Sequence, residues 1–373
     1  MPTTDDELMA TALRCAVDAR LAAPPWPQVG CVIVRDGEIV GRGATGSFPI
    51  GPHAEVAALN EAGPRAHGAT AYTTLEPCDH EGNTPPCTNA LIDAGIAKVV
   101  IAVTDPDVKV AGRGIQHLRA AGIEVEIGPG ATLVEHQLAP YLHQRRTGRA
   151  FALLKTAMSL DGRTSAADGT SQWITGEAAR ADVHRLRAAS HAIVVGPATA
   201  RMDRPSLTAR DVDLGSWGQP LRVLLDARGS VPVDGPLADP TLAPTLVITT
   251  EAAGTEVVAA WTDAGATTAT VGRGPDGRGV DLGTALQLLA HDYHVFQAVI
   301  EGGGKLHGAF IAEGLADRLV TYVAPVVLGE RGRSVLASPG PDTLADAPRW
   351  RVTDVTPFDP DVRITYEPRS EGV

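Results

Sequence analysis

The sequence is poor in the features that mark several protein classes. Four cysteines in 373 residues are too few for a disulfide scaffold. No stretch reaches the roughly 18 uninterrupted apolar residues of a membrane-spanning helix. The first residues include Asp5, Asp6 and Glu7, where a secretory signal would carry a basic and then an apolar region. There is no internal repeat and no homopolymeric tract. Positive charge is also short: 32 Lys and Arg stand against 44 Asp and Glu, a formal net charge of −12. Such a surface repels a polyphosphate backbone, so DNA or long RNA as a ligand would need a strong local basic patch. The densest basic segment, Arg145-Arg146-Thr147-Gly148-Arg149, is short and falls where a linker is expected. A small phosphorylated ligand stays open, because one or two arginines suffice for a single phosphate. These absences predict a cytoplasmic protein with no membrane and no nucleic-acid partner. Each of its reduced cysteines is then a core filler, a metal ligand or a nucleophile.

What is present points to two layered α/β domains. Hydrophobic residues make up 44% of the chain, and a prior of about 150 residues per domain gives two or three domains. Thr4 and Glu7 form a capping-box pattern ahead of a helix running to about Leu21. Asp36-Gly37 reads as a hairpin turn between strands Val29–Val34 and Glu38–Gly43. Helices from about Ala54, at Thr88–Ala94 and at Gly114–Ala121 then alternate with strands Thr70–Leu75, Lys98–Val103 and Ile123–Ile127. A helical stretch from Ala131 to His143 leads into the basic segment, which sets a boundary between domains 1–147 and 148–373. The second half restarts with a strand at Phe151–Met158 and continues through helix Glu177–Ala188. Strands follow at His191–Gly196, Leu221–Asp226 and Thr245–Thr250. Helix Leu282–Asp292, strand Phe296–Glu301 and helix Leu306–Glu313 come next. Strands Arg318–Val326 and Arg351–Thr365 close the chain.

The chemistry concentrates in three segments, His53-Ala54-Glu55, Pro77-Cys78 and Pro85-Pro86-Cys87. One imidazole and two thiolates supply three zinc ligands and leave the fourth tetrahedral position for water, whose pKa zinc lowers toward ~7. Glu55, two residues after the histidine, is placed to take that water's proton and pass it to a leaving amine. A helix N-terminus near Cys87 helps keep a thiolate ionised. A His-x-Glu with Pro-Cys-x-x-Cys is a known zinc-deaminase signature, and here the cysteines are nine positions apart (87 − 78). Cys78 and Cys87 also admit a disulfide or a structural zinc site, and His80 a fourth-ligand or loop-ordering role. Cys15 and Cys31 read as core fillers.

The run Leu75-Glu-Pro-Cys-Asp-His-Glu-Gly-Asn-Thr-Pro-Pro-Cys87 resembles the deaminase domain of the bifunctional riboflavin-biosynthesis deaminase–reductase family. The likeness continues through Lys155–Thr164, Ser171-Gln-Trp-Ile-Thr175, Pro205–Arg210 and Glu301-Gly-Gly-Gly304, and so spans nearly the whole chain. It implies a cytidine-deaminase-like three-layer domain followed by a dihydrofolate-reductase-like domain. It further implies Zn2+ and NADPH as cofactors, a homo-oligomer (dimer or higher), and a small phosphorylated pyrimidine as substrate. By the same resemblance Ala157, Trp173, Thr199, Asp203, Gly303, Gly304 and Lys305 face the cofactor. Ser171, Arg187, Leu207, Arg210 and Glu301 face the substrate, and Lys155 has a role in reduction. Independently of any family, glycines between a strand and a helix let backbone N–H groups approach a phosphate.

Some positions depart from the family pattern: Trp26 and Asp107 stand where asparagine is usual, Arg204 where aspartate is frequent, and a histidine before His53 is missing. Zinc ligands and Glu55 are intact. The rivals are a nucleic-acid-editing deaminase, a reductase with a scaffold deaminase domain, a deaminase–reductase acting on a related pyrimidine, and a non-catalytic zinc module. The first conflicts with the acidic surface, the second with the retained glutamate, and the last leaves the matched second half unexplained.

Overall fold

The computed structural model describes residues 4–18, 26–47, 51–82, 84–215, 217–338 and 340–369. The chain divides into two compact units, Met1–Gly148 with Gly215–Trp217, and Arg149–Leu214 with Gly218–Val373. None of the helices among the described residues is long and apolar enough to cross a membrane.

The first unit runs α1 (Asp5–Asp18), β1 (Gly30–Arg35), β2 (Glu38–Ala44), α2 (Ala54–Ala62), β3 (Thr70–Leu75), α3 (Cys87–Asp93), β4 (Lys98–Val103), α4 (Arg113–Ala120), β5 (Glu124–Ile127) and α5 (Ala131–Thr147). The capping box closes in both directions: Thr4 N–H donates to Glu7 Oε2 at 2.8 Å, and Glu7 N–H to Thr4 Oγ1 at 3.3 Å. The expected end of this helix near Leu21 lies outside the described residues. Asp36 and Gly37 both take positive φ, 51° and 81°, as a two-residue hairpin turn requires. The five strands order as β2-β1-β3-β4-β5, with β3, β4 and β5 parallel.

Side chains alternate across this sheet, so the helices on its two faces can be read from the glycines. A Cβ on Gly30 would lie 1.9 Å from the Ala12 carbonyl oxygen of α1. One on Gly43 would lie 2.1 Å from the Ala54 oxygen of α2, and one on Gly41 2.2 Å from the Ala58 oxygen. Gly43 pairs with Cys31 and Gly41 with Ile33, so α2 covers the face to which those residues point. Gly30, one residue out of phase, carries α1 on the other face. The result is a three-layer unit in which α2 lies directly on the strand backbone.

Helix α5 corrects one expectation. It passes His143 and continues to Thr147, with Gly148 in the left-handed region (φ 73°) as its cap. Arg145 and Arg146 therefore sit in its last turn, where the helix dipole favours cations, and not in a linker.

The second unit runs β6 (Phe151–Ser159), β7 (Arg163–Ser165), α6 (Glu177–Ala188), β8 (Ala192–Val195), α7 (Pro197–Asp203), β9 (Leu221–Leu225), β10 (Thr245–Thr249), α8 (Thr255–Asp263), β11 (Thr267–Thr270), α9 (Leu282–Asp292), β12 (Gln297–Ile300), α10 (Gly304–Ala312), β13 (Arg318–Ala324), β14 (Arg333–Ser334), β15 (Trp350–Phe358) and β16 (Asp361–Pro368). Nine strands order as β11-β10-β9-β8-β12-β6-β13-β16-β15. The first seven are parallel and the last two antiparallel. Both faces are covered, as parallel sheets require. Ala152, Val194, Val223 and Ile248 pack with α9 and α10, while Ile193, Leu224 and Val247 pack with Trp261 of α8 and Ala200 of α7. The expected single strand at Arg351–Thr365 is instead a hairpin that turns at Asp359-Pro360, since proline has no N–H to continue a ladder.

His191 stands at the entry to β8, buried, with Nδ1 accepting from the Gln297 N–H at 3.3 Å and its ring edge-on to Phe296. Burial pulls its pKa from 6.5 down to about 4. The unfolded chain therefore takes up a proton between about pH 6.5 and 4 that the folded unit refuses, and stability drops as pH falls through that window. The loss amounts to about 3 kcal/mol. Thermal melts from pH 8 to 4 should show a smaller loss of stability toward acid in His191→Asn than in the wild type.

Candidate functional site

The local sequence explains why three donors meet in the first unit. His53 is the extended residue that begins α2, and Cys87 is the first residue of α3. Cys78 lies in the loop that leaves the end of β3. Because Gly43 seats Ala54 on the strand backbone, the neighbouring His53 is fixed relative to the sheet. The ligand atoms of His53, Cys78 and Cys87 all lie within 4.8 Å of one another. His53 Nδ1 is 3.2 Å from Cys87 Sγ and 3.5 Å from Cys78 Sγ. Tetrahedral zinc, with bonds of about 2.0 Å to nitrogen and about 2.3 Å to sulfur, separates such donors by about 3.5 Å. The two nitrogen–sulfur distances thus suit a zinc donor set.

Protonation fits as well. A hydrogen bond from Cys87 holds the Cys78 thiol well below its ordinary range, against burial and with help from His53. The same bond to Cys78, then burial, pushes Cys87 up. The two sulfurs in effect share one proton, which a divalent cation would displace. Both cysteines are free, so the disulfide alternative is not realised. His80 is exposed and outside the donor cluster.

Glu55 is 4% exposed and hydrogen-bonds the Cys87 thiol; burial, then the nearby Cys78 charge, holds its carboxyl above the usual range. Two side chains outside the donor set adjoin His53. Thr84 Oγ1 lies 3.2 Å from His53 Nε2, the partner a metal-binding imidazole needs on its far nitrogen. Trp26, at a departing position, sets its ring edge-on to His53 with centroids 5.4 Å apart. Among the other departures, Asp107 pairs with Arg145 at 3.2 Å and Arg204 with Asp234 at 3.0 Å.

In the second unit the crossover order sets β12 between β8 and β6, so the segments after these strands are neighbours at one sheet edge. Thr199 of α7 comes beside Gly303, with its Oγ1 3.7 Å from where a Cβ would stand. The glycines of the turn divide their work. A Cβ on Gly302 would strike the Leu306 side chain at 2.6 Å, and one on Gly304 the Ser334 carbonyl at 2.7 Å. Gly303, exposed at the cap of α10, is the one whose open side can admit a ligand. Helix α10 starts at Gly304, earlier than expected, which puts the exposed Lys305 in its first turn.

Arg187 forks onto Glu301, with Nε and Nη2 donating at 2.6 and 2.8 Å, and its Nη1 donates to the Thr208 carbonyl. Burial opposes the Glu301 carboxylate, but the guanidinium more than offsets it and draws the pKa down to about 2. Lys155 points toward this pair from β6, 5.9 Å above the Tyr322 ring; burial lowers its pKa, the Glu301 charge opposes this, and Arg187 adds to the lowering. Arg210 is exposed. Its backbone N–H donates to His184 Nδ1 at 3.2 Å and its Nη1 to Ser206 Oγ at 3.0 Å. His184, absent from the sequence reading, is three residues before Arg187 on α6, a helical spacing that sets both on one face.

Trp173 is 68% exposed with Arg180 stacked 4.6 Å from its ring, so it does not fill core. Leu207 takes a positive φ (50°) and buries its side chain in the core. Ala157 and Ser171 are half-buried, and Asp203 is exposed at the end of α7.

Residues 150–364 match the family model described as the RibD C-terminal domain, and residues 2–103 match the cytidine and deoxycytidylate deaminase zinc-binding region. The riboflavin biosynthesis protein RibD of Escherichia coli (strain K12) is 41% identical over 370 residues, 96% of this chain and 98% of the relative. That of Mycobacterium tuberculosis (strain H37Rv) is 40% identical over 369 residues, 98% and 97% of the two chains. Among solved structures, Acinetobacter baumannii RibD is 39% identical with a TM-score of 0.85, covering 98% of this chain and 99% of the other. The diaminohydroxyphosphoribosylaminopyrimidine deaminase/5-amino-6-(5-phosphoribosylamino)uracil reductase of Thermotoga maritima is 30% identical, with a TM-score of 0.83 and the same coverage.

Glu76, buried beside Cys78, is the anchor of the loop opposite. Its Oε2 accepts from the Asp105 and Gly112 N–H groups at 3.2 and 3.1 Å, and its Oε1 from the Ile115 N–H at 3.3 Å. In Glu76→Gln one carboxylate oxygen becomes an NH2 facing an N–H. Urea unfolding should show a loss of about 1–3 kcal/mol in the first unit.

Proposed function

The chain belongs to the RibD family of bifunctional riboflavin-biosynthesis enzymes, and from that premise we propose which of its residues carry each step. A zinc-dependent deaminase and an NADPH-dependent reductase are joined in one chain. We assign deamination to residues 1–147 and reduction to residues 148–373. The observation that carries the reading is the His53–Cys78–Cys87 cluster with a buried acid, Glu55, hydrogen-bonded at its edge. The substrate is 2,5-diamino-6-ribosylamino-4(3H)-pyrimidinone 5′-phosphate, in keeping with the activity named for the Thermotoga maritima relative. The acidic surface disfavours a polynucleotide in its place.

His53 Nδ1 and the two cysteine sulfurs would hold zinc, with Thr84 fixing the tautomer of His53. Zinc when bound supplies a water of lowered pKa. Glu55 takes the proton of that water and returns it to the departing nitrogen, so that C–NH2 and H2O become C=O and NH3. The raised pKa of its carboxyl suits a group that must hold a proton and release it again.

In the second unit the turn Gly303–Lys305, with Thr199, would hold the phosphates of NADPH, which when bound would supply the hydride for C1 of the ribosyl group. Trp173, Asp203 and Ala157 line the remaining cofactor face. Arg210 takes the substrate 5′-phosphate with Ser206 and His184 around it, while Arg187 orients Glu301 toward the ribose. Ser171 and the backbone of Leu207 complete the substrate side. As the bond from C1 to the ribose ring oxygen breaks, that oxygen takes the electron pair, and Lys155, its ammonium destabilised by burial, would give it a proton. The working form is a cytoplasmic homo-oligomer.

Ammonia release and NADPH absorbance followed together on the zinc-loaded protein test both halves. Glu55→Gln should lower ammonia release by roughly 10²–10⁴-fold, while NADPH oxidation on already deaminated substrate persists. Ammonia release at the wild-type rate would remove Glu55 from the mechanism. Arg210→Ala should raise KM for the phosphorylated substrate with little change in kcat, and should have no effect on the dephosphorylated compound. An equal effect on both compounds would place the phosphate elsewhere.

A further inference from the structure

One acidic residue beside the metal ligands has a placement that the deamination step does not use. Asp79 follows Cys78 in the loop, and Thr88 follows Cys87 in α3. The Thr88 hydroxyl donates to Asp79 Oδ1 at 2.7 Å. The same oxygen lies 2.6 Å from His117 Nδ1, on the far side, from α4. A carboxylate oxygen can only accept, so Nδ1 carries the hydrogen. The Thr88 N–H also donates to the Cys78 carbonyl at 3.3 Å, and the Cys87 N–H to the Cys78 sulfur at 3.5 Å. Residues next to both cysteines are therefore tied through a single oxygen that α4 holds in place. Helix α4 is itself fixed to the same loop at its start, where Ile115 N–H meets Glu76. The Asp79 side chain is 22% exposed and that of His117 41%, so the carboxylate is held on its inner side by Thr88 while the imidazole meets it from the solvent edge.

We propose that Asp79 is a positioning residue that clasps the Cys78 loop to the start of the Cys87 helix and so slows loss of the metal from the deaminase site. The inference rests on the zinc reading of that site. Its physical basis is that two of three ligands come from separate segments, and a bond between those segments resists the separation that must precede ion release. Outer-shell partners of this kind typically change metal affinity by about 10–100-fold. Neither Asp79 nor His117 touches the ligand atoms, so the effect falls on retention before it falls on chemistry.

The test is zinc release from the full-length zinc-loaded protein into excess chromogenic chelator, with zinc stoichiometry measured first. Asp79→Ala should speed release by roughly 10–100-fold. Asp79→Asn, which keeps an accepting oxygen, should restore most of the retention. Thr88→Val, a near-isosteric change at a fully buried position, should reproduce part of the acceleration and add little on top of Asp79→Ala, because both remove the same bond. If Asp79→Ala is poorly folded, the Thr88→Val and Asp79→Asn pair decides the matter alone. Equal release rates in wild type, Asp79→Ala and Thr88→Val would overturn the clasp while leaving the zinc site intact. A wild-type protein that binds no zinc would overturn the site and the clasp with it.

Discussion

The first unit depends on one packing constraint, the contact of α2 with the backbone of β2. At Gly41 and Gly43 there is no room for even a methyl group between strand and helix. Because the helix lies so close, the residue that caps it, His53, and the acid in its first turn, Glu55, have fixed positions relative to the sheet. The remaining donors are then brought to them by the loop after β3 and by the start of α3. A longer side chain at Gly43 would move α2 by ångströms, while the ligand atoms have a tolerance of only tenths.

The second unit solves a similar problem with strand order. Placing β12 between β8 and β6 gathers Thr199, Gly303, Glu301 and Lys155 at one sheet edge although they are far apart in the chain. The charges there are arranged in opposition. Glu301 is kept ionised by Arg187 despite burial, and Lys155 is biased toward its neutral form by burial and by the same arginine. A buried pair bonded as a bidentate fork contributes little net stability but holds the direction of both groups well.

Local signals in the sequence were legible in proportion to how local their physics is. The Thr4–Glu7 capping box and the Asp36-Gly37 turn were readable because a few neighbouring residues satisfy them. The basic run near Arg145 was misread as linker because, in sequence, a charged helix end and a solvated tether look alike; only the pairing of Arg145 with Asp107 and the Gly148 cap distinguish them. The short helix α7 escaped notice because its seven residues show too little periodicity, and α8 was passed over although Trp261 anchors it in the core. Trp173 is of a residue type as common in cores as at ligand surfaces, and only its exposure in the fold tells which applies.

The sequence by itself determined the chemistry available: one imidazole, two thiolates and a nearby carboxylate at spacings that suit a zinc deaminase, and a glycine-rich turn entering a helix. Those features are carried by residue type and by separations of a few positions. The tertiary structure alone decided which groups are paired and which are free to act. Arg187 reaches Glu301 across 114 positions, Asp79 reaches His117 across 38, and Glu76 gathers N–H groups 29 to 39 positions away. No local pattern encodes such partners, because they follow from strand order and helix packing, and these are set by burial summed over the whole chain.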